Sequence, residues 1–154
     1  MKEIERKFLV NDEIRDILQN LTPKKIQQGY ISENEKGVVR VRTKGEKGFL
    51  TIKAANVGIS RDEFEYEIPF EEAEQMLKLF CAVFISKERY TINYAEHVWE
   101  VDVFHGKLEG LIVAEIELGS ENEIFELPRW ISKEVSDDKR YYNSNLIKLE
   151  QAPL

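Results

Sequence analysis

Seven segments of this 154-residue sequence set charged side chains at alternate positions, and the charges sort by sign. Arg40 and Arg42 alternate with Val39 and Val41, and Lys87 and Arg89 repeat the spacing. Lys7, Lys53 and Arg61 stand in similar alternating surroundings. Glu3 with Glu5, Glu63 with Glu65, Glu100 with Asp102, and Glu115 with Glu117 form acidic pairs of the same kind. In an extended chain, residues i and i+2 share one face with their Cα atoms roughly 6.6 Å apart. Basic side chains converging from several strands repel one another unless a polyanion neutralises them. Carboxylates beside that anion make sense when divalent cations stand between the two. An all-oxygen donor set suits Mg²⁺ or Mn²⁺ rather than zinc or copper.

The elements that must position these groups are mostly strands. Period-two alternation predicts strands at Glu3–Val10, Ile26–Ile31, Val38–Lys44, Phe49–Ala54, Ile59–Ile68, Phe84–Tyr94, Val98–Phe104 and Leu111–Leu118. Short polar connections bearing glycine (Glu33 to Gly37, Gly45 to Gly48, His105 to Gly110) favour antiparallel hairpins. Asn11 or Asp12 can cap a short helix whose apolar face is Ile14, Ile17, Leu18 and Leu21, stopped by Pro23. A second helix begins near Phe70, with Ala73, Met76, Leu77 and Phe80 in register and Glu71, Glu72 and Glu74 in its first turn. A third falls within Asp137–Gln151. An ordinary sheet with one wet face would admit more Ser, Thr, Asn and Gln and would not separate its charges by sign. The pattern predicts one α+β domain over residues 1–154: an eight-stranded antiparallel β-barrel with a charged interior, apolar packing outside and a few flanking helices.

Composition narrows the partners. Hydrophobic residues make up 42% and charged residues 33% of the chain, with a net charge of -7. That balance argues against general nucleic-acid or anionic-membrane binding, while leaving room for a local basic pocket. Cys81 is the only cysteine and sits among apolar neighbours, which predicts a buried, inert thiol and neither disulfide nor thiolate zinc. His97 and His105 fall at strand ends and turns and are read as non-catalytic. Charges crowd the first residues, and no apolar run approaches the ~20 residues of a membrane span, so a soluble cytoplasmic protein is expected.

The order of these motifs resembles the CYTH, or triphosphate tunnel metalloenzyme, superfamily. Its signature is matched by Glu3-Ile4-Glu5-Arg6-Lys7, and the likeness continues through QGYI from Gln28, RVR at Arg40–Arg42, TIK at Thr51–Lys53 and RDEFE from Arg61. It then runs through KER at Lys87–Arg89, WEVD from Trp99, AEIEL from Ala114 and DDKRYYN from Asp137. The resemblance implies a tunnel holding a linear triphosphate. Glu3, Glu5, Glu115 and Glu117 would bind Mg²⁺ or Mn²⁺, and Lys7, Arg40, Arg42, Lys53, Arg61, Lys87 and Arg89 would hold phosphate oxygens. Glu63, Glu65, Glu100 and Asp102 would be catalytic acids of the tunnel that orient cations, water or a second metal. Asp138, Tyr141 and Asn143 are candidates for closing one end, and the resemblance allows a homodimer.

The activity implied is hydrolysis of a phosphoanhydride bond in a triphosphate-containing small molecule, foremost inorganic tripolyphosphate. Organic triphosphates form the alternative: a class IV-type adenylate cyclase, a nucleoside triphosphatase or a thiamine triphosphatase. A cyclase needs a base pocket, for which Tyr30 and Phe49 are the available aromatics, although barrel packing is their plainer role. A non-catalytic polyphosphate-binding module is the third reading. It leaves the acidic pairs without a purpose.

Overall fold

A computed structural model describes residues 2–153. The chain runs β1 (Lys2–Val10), α1 (Ile14–Leu18), β2 (Lys24–Asn34), β3 (Gly37–Lys44), β4 (Lys47–Ala54), β5 (Ser60–Ile68), α2 (Phe70–Phe80), β6 (Ile85–Tyr94), β7 (His97–Phe104), β8 (Ile112–Glu117), β9 (Ile131–Glu134) and α3 (Asn143–Leu146). All strand pairs are antiparallel, in the order β5-β4-β3-β2-β6-β7-β8-β1-β9, and a β5–β1 pairing closes the first eight strands into a ring. Strand β1 divides its second edge. Lys2, Glu3 and Ile4 pair with β5, while Phe8 and Val10 pair with β9.

Alternation then sends every second side chain inward. Glu3, Glu5 and Lys7 point into the ring from β1, Arg40 and Arg42 from β3, and Thr51 and Lys53 from β4. Lys87 and Arg89 enter from β6, Glu100 and Asp102 from β7, and Glu115 and Glu117 from β8. The outward residues of β1, β7 and β8 meet α1 and the 119–130 segment in a buried cluster of Phe8, Ile14, Trp99, Val101, Ala114, Ile116, Leu118 and Trp130. Its rings meet edge to face, Phe8–Trp99 at 5.5 Å and Trp99–Trp130 at 5.6 Å between centroids. Each such pair contributes about 0.5–1.5 kcal/mol beyond area burial. A second cluster, Val41, Ala73, Leu77 and Cys81, seats α2 on β3. A third, including Ile85, Phe104, Leu111, Val113, Tyr141 and Leu146, continues the inward faces beyond the charges and plugs one end of the ring.

Several expectations need correction. The sheet has a ninth strand, β9, outside the eight-stranded ring. Helix α1 ends at Leu18, not Leu21, although Asn11 Oδ1 does accept from the Glu13 N–H at its start. Instead of one helix over Asp137–Gln151, a 3₁₀ turn at Lys139–Tyr141 is followed by the four-residue α3. Tyr142 between them is extended, so the first turn cannot propagate. Phe80 is 59% exposed instead of joining the apolar face of α2, and the outer face of β4–β5 is uncovered at Ile52, Phe64 and Tyr66. Among the described residues, no helix is long and apolar enough to cross a membrane.

Candidate active site

Where β1 passes from β5 to β9, a cavity of about 60 Å³ opens into the ring. Glu3, Glu5, Lys7, Arg40, Lys53 and Arg61 line it, six of the fifteen residues expected from the charge pattern. The other nine do not line this cavity. The tunnel interior is laced by ion pairs. Lys53 Nζ lies 2.9 Å from Glu3 Oε1 and 3.2 Å from Glu63 Oε2. Glu65 Oε1 accepts from Arg42 Nη2 at 3.1 Å and from the Thr51 hydroxyl at 3.1 Å, with Arg40 Nη2 at 3.8 Å. Asp102 accepts from Lys87 Nζ at 2.7 Å and from Arg89 Nε at 2.7 Å. Arg89 continues to Glu100 at 3.3 Å and Glu115 at 4.0 Å, and Glu115 reaches Lys7 at 3.8 Å.

The charges are not evenly mixed. Strands β1, β7 and β8 form an acidic wall, with Glu5 directly opposite Glu117 and Lys7 opposite Glu115. Burial and the neighbouring Glu115 push the Glu5 carboxyl up to about 8, against the pull of Lys7. Burial raises Glu3 as well, and burial with repulsion from Glu3 and Glu100 raises Glu117. Burial opposes the charge of Glu115, but Lys7 and Arg89 hold it below the usual carboxylate range. Across the tunnel, burial and repulsion from Arg40 and Arg89 bring Arg42 down to about 10. Burial, with Arg89 adjacent, brings Lys87 down to about 8 in spite of Asp102. Burial opposes the charge of Asp102 too, yet the two cations keep it ionised far below the usual range.

Four guanidinium Nε atoms are buried without an acceptor among the described residues, and three of them, those of Arg40, Arg42 and Arg61, belong to the tunnel, while Arg6 lies outside it against Phe125. A buried cationic donor left without an acceptor costs more than most single interactions supply. An anion with several oxygens along the tunnel would satisfy all three.

Among the described residues, no three carboxylates or imidazoles converge into a ready-made cage. Glu3 is held by Lys53 and Glu115 by Lys7 and Arg89, which leaves Glu5 and Glu117 as the facing pair. Burial, with repulsion from neighbouring carboxylates, raises the proton affinity of both, and a divalent cation between them would offset that cost. Magnesium is characteristically held by one or two carboxylates together with water and substrate phosphates, not by an all-protein cage. The residues present therefore fit such an ion.

Of the closure candidates, Asn143 lines the cavity. Tyr141 is buried in the apolar plug, its carbonyl accepting from Lys7 Nζ at 3.4 Å. Asp138 turns aside to Arg140 at 2.7 Å. Charge alone did not point to Tyr30, Asn56, Ser136, Tyr142 or Ser144, which also line the cavity. Tyr30 had a readable signal, since it keeps the inward phase of β2. His97 and His105 bond to Glu123 and Glu88 away from the tunnel.

A closed antiparallel ring with a sign-segregated polar interior is the architecture of the triphosphate tunnel class. The family model described as CYTH domain matches residues 1–148, and the chain belongs to the CYTH family. It is 46% identical over 149 residues to a protein named inorganic triphosphatase from Acetivibrio thermocellus, covering 96% of this chain and 94% of the relative. A second protein of that name, from Nitrosomonas europaea, is 35% identical over 150 residues, covering 95% of this chain and 97% of its own. A crystal structure described as that of an inorganic triphosphatase superposes with a TM-score of 0.65 at 32% identity, covering 94% of this chain and 97% of the other.

Proposed function

We propose that this protein is a metal-dependent hydrolase of linear triphosphates, acting in the cytoplasm on inorganic tripolyphosphate. The observation that carries the reading is the set of buried, acceptor-less guanidinium donors facing an acidic wall. The relatives' shared name supports the choice of an inorganic substrate. Basic and acidic groups nearly balance inside the tunnel, so a bound polyanion calls for added positive charge. Divalent cations meet that need.

Lys7, Arg40, Arg42, Lys53, Arg61, Lys87 and Arg89 bind the phosphate oxygens and hold the chain straight for in-line attack. Glu5 and Glu117, flanked by Glu3 and Glu115, would hold Mg²⁺ or Mn²⁺. The bound ion would supply Lewis-acid stabilisation of charge on the phosphoryl oxygens. Glu63, Glu65, Glu100 and Asp102 fix the cations in their working positions. Glu63 or Glu65 orients the attacking water, whose oxygen forms a bond to the terminal phosphorus as the bridging P–O bond breaks. Pyrophosphate and orthophosphate leave. Preorganised charge of this kind is the main requirement of phosphoryl transfer.

The test is to incubate the purified protein with tripolyphosphate or ATP, with Mg²⁺, Mn²⁺ or EDTA, and measure phosphate and cyclic AMP. Metal-dependent phosphate release from tripolyphosphate, well above that from ATP and without cyclic AMP, is the expected result. Cyclic AMP, or preference for ATP, would transfer the protein to the organic-triphosphate enzymes. Binding without turnover would leave a polyphosphate-binding module.

A further inference from the structure

The side chain of Gln28 has no exposed surface, and neither its Nε2 nor its Oε1 has a hydrogen-bond partner among the described residues. Its direction follows from its neighbours on β2. Gly29 backs onto α2 so closely that an added Cβ would lie 2.8 Å from Cys81 Sγ, and Tyr30 lines the tunnel cavity. Gln28 therefore faces inward, between β3 and β6, in register with Arg42 on one side and Ile85 on the other. Directly paired side chains across an antiparallel ladder have Cβ atoms about 4.5–5.5 Å apart. The amide thus stands beside Arg42, whose own Nε also lacks an acceptor.

Burying an amide without partners is among the more costly things a fold can do, and an apolar residue of the same shape would relieve it. Nothing in the packing of β2 calls for an amide here, and the basic residues around it offer its N–H groups no acceptor. A phosphate oxygen would serve both Gln28 Nε2 and Arg42 Nε.

We propose that Gln28 is a neutral phosphate-binding residue of the tunnel, donating from Nε2 to a triphosphate oxygen shared with Arg42. The inference rests on the triphosphate reading and adds to it an uncharged contact. An amide donates without changing the tunnel's charge balance and holds its direction at every working pH. The acceptor Oε1 is left for a water accompanying the chain.

The substitution Gln28→Met separates this role from a structural one, because the two predict opposite effects. Methionine keeps the length and removes the unpaired amide, so the free protein should melt at the same temperature or higher. Loss of a hydrogen bond to a charged group should raise KM for tripolyphosphate about tenfold or more. It should also weaken tripolyphosphate binding by a similar factor in metal-free calorimetry, with Gln28→Asn intermediate. Unchanged KM and unchanged binding in a folded Gln28→Met protein would overturn the proposal. If the wild type binds tripolyphosphate without hydrolysing it, the enzymatic reading fails while calorimetry still decides the role of Gln28. Should Gln28→Met not fold, the same comparison is made with Gln28→Asn and Gln28→Glu. A carboxylate beside the anion must abolish binding, and binding retained in Gln28→Glu would overturn the proposal.

Discussion

Asp102 and Arg89 meet side by side across β6 and β7, Nε to Oδ1 at 2.7 Å and Nη2 to Oδ2 at 2.9 Å, with Asp102 1% exposed. Lys87 takes the remaining face of the same carboxylate. With both oxygens committed, Asp102 is a strut that aims two cations into the tunnel. Removing one partner of a buried ion pair leaves the others uncompensated, at a cost of about 3–5 kcal/mol. Asp102→Asn should therefore lower unfolding free energy by about that amount in urea titrations. A loss under 1 kcal/mol, on the same scale, would mean that the two cations find other partners.

The alkaline side of the activity profile should belong to Lys87. Its ammonium is drawn down to about 8 by burial and by Arg89, because Asp102 divides one negative charge between two cations. As pH rises through about 8 the free enzyme loses this phosphate-binding charge, so kcat/KM for tripolyphosphate should fall. The measurement belongs at saturating divalent cation, where metal binding has already displaced the proton from Glu5 and removed its opposing effect. Lys87→Arg should flatten the fall, since a guanidinium stays protonated there. A fall that survives the substitution would assign it to another group.

The strands were legible because the interior and exterior of a ring impose opposite chemistries on successive residues. Arg40 against Val41 and Glu115 against Ile116 state the phase outright. What escaped lacked that alternation or carried no charge. The four residues of β9, Ile-Ser-Lys-Glu, are too few to show a period, and their pairing depends on β1 being free of β5 beyond Ile4. Gln28 and Tyr30 share the inward phase of β2, but a search for charge passes over them. Which carboxylates are tied up in ion pairs is a matter of register: Glu5 opposite Glu117 and Glu100 opposite Glu115 can be seen only once the strands are aligned.

Glu117 lies at the open, solvent-facing side of the acidic wall, and Glu5 faces it from β1. If the two share a divalent cation, Glu117→Gln should abolish turnover at ordinary metal concentrations while leaving the melting temperature of the free protein near that of the wild type. Mn²⁺ affinity, read by calorimetry without substrate, should fall about 10-fold or more, since loss of even an outer partner of a metal site costs about that much. Full activity or unchanged Mn²⁺ affinity in this variant would remove Glu117 from the metal site.

Arg61 lines the cavity with a buried Nε that lacks an acceptor. Its loss should therefore be felt mostly by the substrate. Arg61→Ala is expected to raise KM for tripolyphosphate about 10-fold or more, by loss of a charged hydrogen bond, with a smaller effect on kcat. Steady-state kinetics decide it. An equal fall in kcat and kcat/KM with unchanged KM would instead place the contact in the transition state alone.

The outer wall of the tunnel is set by how closely α2 approaches β2. A Cβ at position 29 would fall 2.8 Å from Cys81 Sγ, 2.9 Å from Cys81 Cβ and 3.3 Å from Leu77 Cδ2. Both neighbours are in the cluster that buries Val41 and Ala73, so neither can turn toward solvent without opening that core. Gly29→Ala must displace the helix or the strand, and overpacking of this kind costs about 1–3 kcal/mol. A strand displacement would carry Gln28 and Tyr30 with it, coupling an exterior methyl group to the tunnel interior. The expected result is a lower melting temperature together with a raised KM for tripolyphosphate. A destabilised variant with wild-type KM would show that α2 alone gives way, and wild-type stability would mean that Cys81 and Leu77 yield to the methyl group without opening their core.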